Sequence, residues 1–214
     1  MTPAYRVVVA VGRPVMWWWS RLVVKGVELL PVTGPVVLVA DHDSYWDPVA
    51  IGVAARERRQ IRALSKSTLW KNRVVAAFMD GMGHIPVVRG VSNDEALATA
   101  VAELRAGACI GMFPEGTRSL GRVLRARSGV GRLVEAVPEA TVVCVRTSGT
   151  VDVVRVPHRP LVTVEFYLPA GGPMRPDETA ATYSQRLLDE LRVSALREVP
   201  GRRRTAAKYR ARLP

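Results

Sequence analysis

No stretch of the chain reaches the roughly 18 uninterrupted apolar residues that a membrane-spanning helix needs. A simple transmembrane protein is therefore not expected, although 48% of the 214 residues are hydrophobic. Cysteine is also scarce: Cys109 and Cys144 both lie in apolar, strand-like runs. They predict buried, reduced thiols rather than a disulfide framework. The three histidines lack the close spacing of metal ligands, so we expect no metal site.

Acidic residues are few relative to basic ones. The chain has 19 Asp and Glu against 31 Lys and Arg, which gives a net charge of +12. An excess of this size favours an acidic partner, which could be nucleic acid, an anionic membrane surface or a phosphate-bearing substrate. Residues 201–214 contain six of the basic side chains and no acidic one, and they predict a solvated basic tail. The chain has no recognisable nucleic-acid-binding motif, so nucleic acid is kept only as the alternative from another class.

The first 25 residues form an apolar segment of unusual composition. Arg6, Arg13 and Arg21 recur through it, and residues 17–19 are three consecutive tryptophans. Tryptophan prefers the headgroup boundary of a bilayer, and arginine can extend its charge to water. Residues 1–25 therefore predict a short amphipathic helix that associates with a membrane surface. The alternative is a first helix packed on the core, whereas a signal peptide is not expected because a small-residue cleavage site is lacking.

Residues 26–200 alternate between strand-like and helical patterns. Short valine-rich runs are separated by Gly and Pro, which indicates a single α/β domain with a mixed, mostly parallel sheet flanked by helices. The predicted strands cover residues 35–40, 61–65, 85–88, 109–113, 141–146 and 161–167. The predicted helices cover residues 47–55, 69–79, 94–106 and 178–199. Asp47 is the expected N-cap of the first of these, Ser92 and Glu95 have capping-box spacing, and Gly107 ends the third.

His42 and Asp47 form the first candidate site, in the segment HDSYWD. A spacing of five residues on a regular helix would point the two side chains apart, so they can meet only through a loop. A loop between a strand and a helix would let Asp47 hold one imidazole nitrogen while the other faces a substrate. The alternative is that Asp47 only caps the helix, and the two roles are compatible because a carboxylate has two oxygens.

The segment FPEGTRS, residues 113–119, is the second candidate site. It follows a buried strand, which is where open α/β sheets bind ligands. Gly116 allows a tight turn, and the planar guanidinium of Arg118 matches phosphate oxygens. The alternative is that Arg118 pairs with Glu115 or another local carboxylate to shape the loop. A third run, GHIPVVR, ends in another arginine, Arg89.

Together these residues resemble the 1-acylglycerol-3-phosphate (lysophosphatidic acid) acyltransferase family. The family's motifs are His-x4-Asp with Ser two residues after the His, Gly-x-Ile-x-Val-x-Arg, and Phe-Pro-Glu-Gly-Thr-Arg-Ser. The matching positions are His42, Ser44 and Asp47, then Gly83, Ile85, Val87 and Arg89, then residues 113–119 without exception. Lys66 and Gly129 also lie where the family has similar features, so the resemblance covers about residues 24–191. The residue before the histidine is usually Asn in this family and is Asp41 here.

The resemblance implies direct acyl transfer without a cofactor. His42 would remove the proton of the acceptor hydroxyl, and Asp47 would steady the resulting imidazolium. The implied substrate-binding residues are Ser44, Lys66, Arg89, Glu115, Gly116, Thr117 and Arg118, with the two arginines on the acceptor phosphate and Glu115 and Thr117 on its glycerol hydroxyls. Acyl-CoA or acyl-carrier protein would be the donor and a lysophospholipid the acceptor, at the cytoplasmic face of a membrane. Other acceptors, such as glycerol 3-phosphate or a larger lysophospholipid, and a lipid-binding protein without catalysis stay open.

Overall fold

Seven strands form one sheet in the computed structural model, which describes residues 1–88, 94–120, 122–157 and 159–193. The strands are β1 Val23–Lys25, β2 Val36–Ala40, β3 Ile61–Lys66, β4 Ile85–Val87, β5 Cys109–Met112, β6 Thr141–Ser148 and β7 Thr163–Tyr167. Their order across the sheet is β1-β7-β6-β2-β5-β3-β4, and β6–β7 is the antiparallel pair among parallel ones. The prediction of an α/β fold with a mostly parallel sheet is thus confirmed. Arg89, Ser92 and the tail 201–214 lie outside the described residues.

Helices cover both faces of this sheet. They are α1 Pro3–Pro14, α2 Asp47–Ala54, α3 Arg73–Gly81, α4 Asp94–Arg105, α5 Gly129–Ala136 and α6 Ala180–Arg192. Every residue of β2 is buried. Val36, Leu38 and Ala40 belong to the core cluster that contains α2, whereas Val37 and Val39 belong to the cluster that contains α4, α5 and α6. This alternation follows from the two-residue period of a strand, and a strand buried on both faces reads as a continuous apolar run.

The N-terminal segment is a helix that packs on the domain and also exposes an apolar face. On its buried face, Tyr5 accepts a hydrogen bond from the Ile61 amide at 3.4 Å, and a side chain at Gly12 would clash with Val49. Val7 and Val11 on the same helix are exposed. A π-helical turn, Val15–Trp19, follows α1. None of the described helices is long and apolar enough to cross a membrane.

Two helix predictions differ from the structure in detail. The pattern over residues 69–79 predicted one helix, but the segment divides into a 3-10 turn, Ser67–Lys71, and α3. Asn72 separates them because its side chain accepts hydrogen bonds from the Val74 and Val75 amides, which makes it the N-cap of α3. The predicted C-terminal glycine of α4 is confirmed: Gly107 has φ +82° and donates to the Leu104 carbonyl at 2.8 Å.

Candidate active site

Three adjacent parallel strands bring the candidate residues to one edge of the sheet. Val39 near the end of β2 pairs with Met112 at the end of β5 and with Cys144 of β6. Because the strands run in the same direction, the loops that follow them leave the sheet at its carboxyl edge. Residues 41–46 and 113–120, together with the end of β6 and the residues after it (147–150), therefore lie at this edge.

His42 and Asp47 meet through the loop between β2 and α2. The Nδ1 atom of His42 lies 2.9 Å from Oδ2 of Asp47, which is fully buried. An ionised carboxylate can only accept, so Nδ1 carries the proton and Nε2 has the free lone pair. Within the described residues Nε2 has no hydrogen-bond partner, and the His42 side chain is 15% exposed. The imidazole also stacks on Phe113, with ring centroids 4.1 Å apart, so it is held both at its edge and on its face.

The predicted N-cap role of Asp47 is wrong. Asp47 lies in the first turn of α2, and the residue at the cap position is Trp46, whose side chain makes no capping bond. The Asp47 carboxylate faces back over the preceding loop. Its Oδ2 accepts the Asp43 and Ser44 amides at 2.7 Å each. Pro48 follows in the first turn and has no amide hydrogen, which reduces the number of helix donors that need a cap.

Two threonines hold the other oxygen of this carboxylate. Oδ1 of Asp47 accepts the Thr150 hydroxyl at 2.5 Å, and the Thr147 hydroxyl lies 3.4 Å away. Both threonines lie at or just past the end of β6. Neither threonine was predicted from the sequence, although polar residues after a predicted parallel strand indicate a site at that edge of the sheet.

Ser44 closes the same loop. Its hydroxyl donates to the Thr150 carbonyl at 3.0 Å and accepts the Trp46 amide at 3.2 Å, and the side chain is buried. The hydroxyl is therefore engaged within the protein. Its predicted contact with substrate stays a prediction.

Glu115 binds the main chain of His42. Gly116, with φ +66°, makes the turn that the sequence predicted. Glu115 is buried, and its Oε2 accepts the His42 amide at 3.1 Å. The guanidinium of Arg192 places Nη2 2.6 Å from both Glu115 oxygens. Burial raises the pKa of Glu115 above its usual value, and the hydrogen bonds and charge of Arg192 partly offset this effect.

Arg192 is a site residue that was not predicted from the sequence. It lies at the end of α6, where no local motif distinguishes it from the many other arginines of the chain. Its Nη1 is 2.9 Å from Oδ2 of Asp43, so one guanidinium joins the His42 loop to the Glu115 loop. Asp43 also accepts a hydrogen bond from the Ser119 hydroxyl.

Asp41, which stands where the family usually has Asn, is buried beside the dyad. Its Oδ1 accepts the Thr147 amide at 3.0 Å. Burial raises the pKa of Asp41 to about 7, and the charge of Arg192 opposes this shift. The residue therefore changes its protonation near neutral pH, which an Asn at this position would not do.

The other predicted substrate-binding residues differ in what they contact. The Arg118 guanidinium lies 3.6 Å from the ring centroid of Tyr45. Glu115 pairs with Arg192 instead, and among the described residues no ion pair joins Arg118 to Glu115 or to another carboxylate. Thr117 is half-buried on the same loop. Lys66 ends β3 at an exposed position, and no described hydrogen bond connects it to the dyad. Phosphate binding by Arg118 and by Arg89 stays a prediction.

The part of the chain that the structure describes contains no group of three or more His, Cys, Asp or Glu side chains that could hold a metal ion. Within the described residues the site offers a histidine with a free ring nitrogen, a buried carboxylate behind it, and an arginine whose hydrogen-bonding edge has no partner there. That set suits the transfer of a proton from a hydroxyl near an anionic group.

Comparison with known proteins identifies the family. A family model described as Acyltransferase matches residues 21–156. The 1-acyl-sn-glycerol-3-phosphate acyltransferase of Bacillus subtilis (strain 168) is 28% identical over 116 residues, which are 51% of this chain and 58% of that protein. The chain thus spans little more than half the length of this curated relative.

A solved structure has the same fold. The 1-acyl-sn-glycerophosphate (LPA) acyltransferase PlsC from Thermotoga maritima superposes with a TM-score of 0.67 at 22% identity, over 98% of this chain and 81% of that one. At this identity the likeness establishes the fold alone. The family model, however, covers more than half of the chain and includes His42, Asp47 and Glu115. On that evidence the chain belongs to the acyltransferase family.

Proposed function

We propose that the protein transfers a fatty acyl group from acyl-CoA or acyl-carrier protein to the free hydroxyl of 1-acylglycerol 3-phosphate, which gives phosphatidic acid. The observation that carries the proposal is the 2.9 Å contact between His42 and Asp47, which leaves Nε2 of the histidine free. The names of the two relatives support a lysophosphatidic acid acceptor.

The proposed reaction is a direct transfer. Nε2 of His42 takes the proton of the acceptor hydroxyl while its oxygen attacks the thioester carbonyl, and Asp47 stabilises the imidazolium that forms. The new carbon–oxygen bond replaces the carbon–sulfur bond, and the proton on His42 passes to the leaving thiolate. Burial raises the pKa of Cys109 and of Cys144 to about 12, which opposes a covalent intermediate on either thiol.

Arg118 is the described residue that best suits the acceptor phosphate. Its stacking on Tyr45 uses the face of the guanidinium and leaves the N–H groups in the plane available. Those groups can form two parallel bonds to phosphate oxygens. Thr117 precedes it on the same loop and would position the glycerol portion together with Arg118.

Acyl transfer from a radiolabelled thioester tests the function. The wild type is incubated with acyl-CoA or acyl-carrier protein and with lysophosphatidic acid, glycerol 3-phosphate, a larger lysophospholipid or monoacylglycerol. We expect product from lysophosphatidic acid, little from the monoacylglycerol that lacks a phosphate, and at least a 10²-fold loss in His42→Ala, about what a general base contributes. Full activity in a folded His42→Ala protein, or no transfer to any acceptor, contradicts the proposal.

Peripheral attachment to an anionic membrane is part of the same proposal. Trp17 and Trp18 are 46% and 82% exposed, and an apolar groove beside them is lined by Pro14, Val15, Trp18, Trp19 and Arg159. Exposed tryptophans with flanking arginines suit the headgroup region, where each basic residue contributes roughly 1 kcal/mol. The two buried, unpaired cysteines suit the reducing cytoplasmic side.

Trp19 provides the matched control for this attachment. Its Nε1 donates to the Val153 carbonyl at 2.7 Å and its indole packs against the core, so this side chain is held by the domain even though it also lines the groove. We expect Trp17→Ser with Trp18→Ser to weaken sedimentation with anionic vesicles while the melting temperature holds. Trp19→Ser should mainly lower the melting temperature. Unaltered vesicle binding by the double variant would show that the membrane-binding surface of the protein lies elsewhere.

A further inference from the structure

Arg192 has no role in the mechanism proposed above, although it contacts two of the loops that form the site. It ends α6, far from the His42 motif in sequence, yet its guanidinium contacts the loops of both Asp43 and Glu115. We propose that Arg192 is a positioning residue for acyl transfer: it clamps the main chain of His42 by bridging the two carboxylates on either side of it. The proposal rests on the function proposed above.

The bridge uses most of the donors of the guanidinium. Nε and Nη2 lie 3.1 and 2.6 Å from Oε1 of Glu115, and Nη2 lies 2.6 Å from Oε2. Nη1 lies 3.0 and 2.9 Å from the two oxygens of Asp43. A planar fork can satisfy two carboxylates at fixed angles, whereas an ammonium group acts as a point charge. The geometry therefore requires arginine rather than a cation in general.

The clamp acts on both backbone groups of His42. Its amide donates to Oε2 of Glu115 at 3.1 Å. Its carbonyl accepts the Ser119 amide at 2.7 Å and lies 3.5 Å from Nη2 of Arg192. Asp47 and Phe113 already hold the imidazole, so Arg192 fixes the part of the residue that they do not touch. A shift of about 1 Å in a general base can cost about 10²-fold in rate.

Arg192 also neutralises two carboxylates at a site that is proposed to bind an anion. Among the described residues Arg192 is the cation paired with Glu115, so without it Glu115 would be buried beside Asp43 with no described counter-charge. The loss of activity caused by Arg192→Met should therefore depend on the charge of Glu115 as well as on lost packing. Replacing Glu115 with the neutral, similarly shaped Gln keeps an oxygen for the His42 amide, so it should relieve part of the damage caused by Arg192→Met.

Arg186 is a matched control on the same helix. Its side chain is 21% exposed against 20% for Arg192, and it makes bonds of 2.7 and 2.8 Å to Glu178. Its guanidinium also donates to the carbonyls of Gly172 and Pro173 and lies 5.0 Å from the ring centroid of Tyr183, and none of these residues belongs to the His42 loop. Arg186→Met thus removes a comparable ion pair from α6 without touching the clamp.

The test compares kcat and both KM values of the wild type with those of four variants. These are Arg192→Met, Arg192→Lys, Arg192→Met with Glu115→Gln, and Arg186→Met. We expect Arg192→Met to lower kcat about 10²-fold with less than a threefold change in the thioester KM. Arg192→Lys should recover part of this loss, the double variant should regain at least fivefold over Arg192→Met, and Arg186→Met should stay within twofold of the wild type. If Arg192→Met does not fold, Arg192→Lys takes its place with an intermediate loss expected.

A readout independent of activity separates this proposal from the function itself. The chain has three histidines, so the imidazole NMR signals are few, and the His42 signal is the one that disappears in His42→Ala. We expect this signal to shift in Arg192→Met and Arg192→Lys but not in Arg186→Met. If the signal shifts while the wild type transfers no acyl group, the function is wrong and the clamp stands. If the wild type is active but the Arg192 and Arg186 variants match in both kcat and the His42 signal, the clamp is refuted.

Discussion

Replacing Asp47 with Asn separates the charge of this residue from its structural role. In the protein its Oδ2 accepts from His42 and from the amides of Asp43 and Ser44, while its Oδ1 accepts from threonine hydroxyls. An Asn with its oxygen in the Oδ2 position keeps the first three bonds. Its NH₂ group then faces Thr147 and Thr150, whose hydroxyls can rotate to accept. Asp47→Asn should therefore preserve the loop and remove only the negative charge.

The expected loss of activity follows from the bond to His42. A hydrogen bond to a charged group contributes about 1.5–3 kcal/mol and a neutral one about 0.5–1.5 kcal/mol. Stabilisation of the imidazolium therefore falls by about 1–2 kcal/mol, which corresponds to about 5- to 30-fold in kcat. This is less than the loss expected for His42→Ala. Asp47→Ala, by contrast, leaves a buried amide, a part-buried amide and two hydroxyls without this partner, at about 1–3 kcal/mol for each buried unsatisfied group.

Thermal unfolding and acyl transfer measured on the same samples distinguish these effects. We expect Asp47→Asn to melt within about 2 °C of the wild type, because a change of 1 kcal/mol moves a chain of this size by about 2–4 °C. Asp47→Ala should melt at least about 5 °C lower by the same scale. Wild-type kcat in Asp47→Asn would refute the charge argument. A large fall in its melting temperature would show that the amide cannot replace the carboxylate in the loop.

Three further predictions concern neighbouring residues. Arg118→Lys should raise the KM for a phosphate-bearing acceptor and leave the thioester KM nearly unchanged, because lysine loses the planar fork; equal effects on both substrates would contradict this. Burial raises the pKa of Asp41 to about 7, so its contribution to stability is present below about pH 4 and is lost as the pH rises through 7. In urea melts, the free energy of unfolding of Asp41→Asn should therefore rise relative to that of the wild type between pH 5 and pH 8. A difference between the two proteins that does not change with pH would count against the raised pKa of Asp41. Gly116 has φ +66° and an added Cβ would lie 2.7 Å from Arg127 Nε, whereas Gly34 has φ +79° and open space around it. Gly116→Ala should thus lower the melting temperature more than Gly34→Ala, and equal losses would mean that backbone strain alone matters.

Local sequence patterns predicted the elements that carry the site. An apolar run followed by a polar loop and a proline gave β2, the His42 loop and α2, and the required contact between His42 and Asp47 is present. Gly116 turns the second loop as its residue type predicted. These features depend on neighbours within a few residues, which is the range over which propensity and spacing act.

The contacts that complete the site join residues far apart in the chain. Arg192 is 77 residues from Glu115 and 149 from Asp43, and Thr150 is 103 residues from Asp47. Such pairs follow from the order of the strands and the path of α6, which the hydrophobic pattern does not specify. The mistaken cap assignment of Asp47 has the same origin: a helix amide and a distant threonine are equally suitable partners until the fold brings one of them close.

The acidic residues around His42 must be reconciled with the anionic acceptor proposed for this site. Asp41, Asp43, Asp47 and Glu115 all lie beside the histidine in a chain with a net charge of +12. Each of them already accepts hydrogen bonds from the protein: Asp41 from Thr147, Asp43 and Glu115 from Arg192, and Asp47 from its own loop. Their lone pairs are used to shape the loops and their charges are partly compensated, so they oppose an incoming phosphate less than four free carboxylates would. Among the described residues Arg118 stacks on Tyr45 and makes no ion pair, so its donors would be available to an anion, and in the proposed function this edge of the sheet would combine a general base with phosphate recognition.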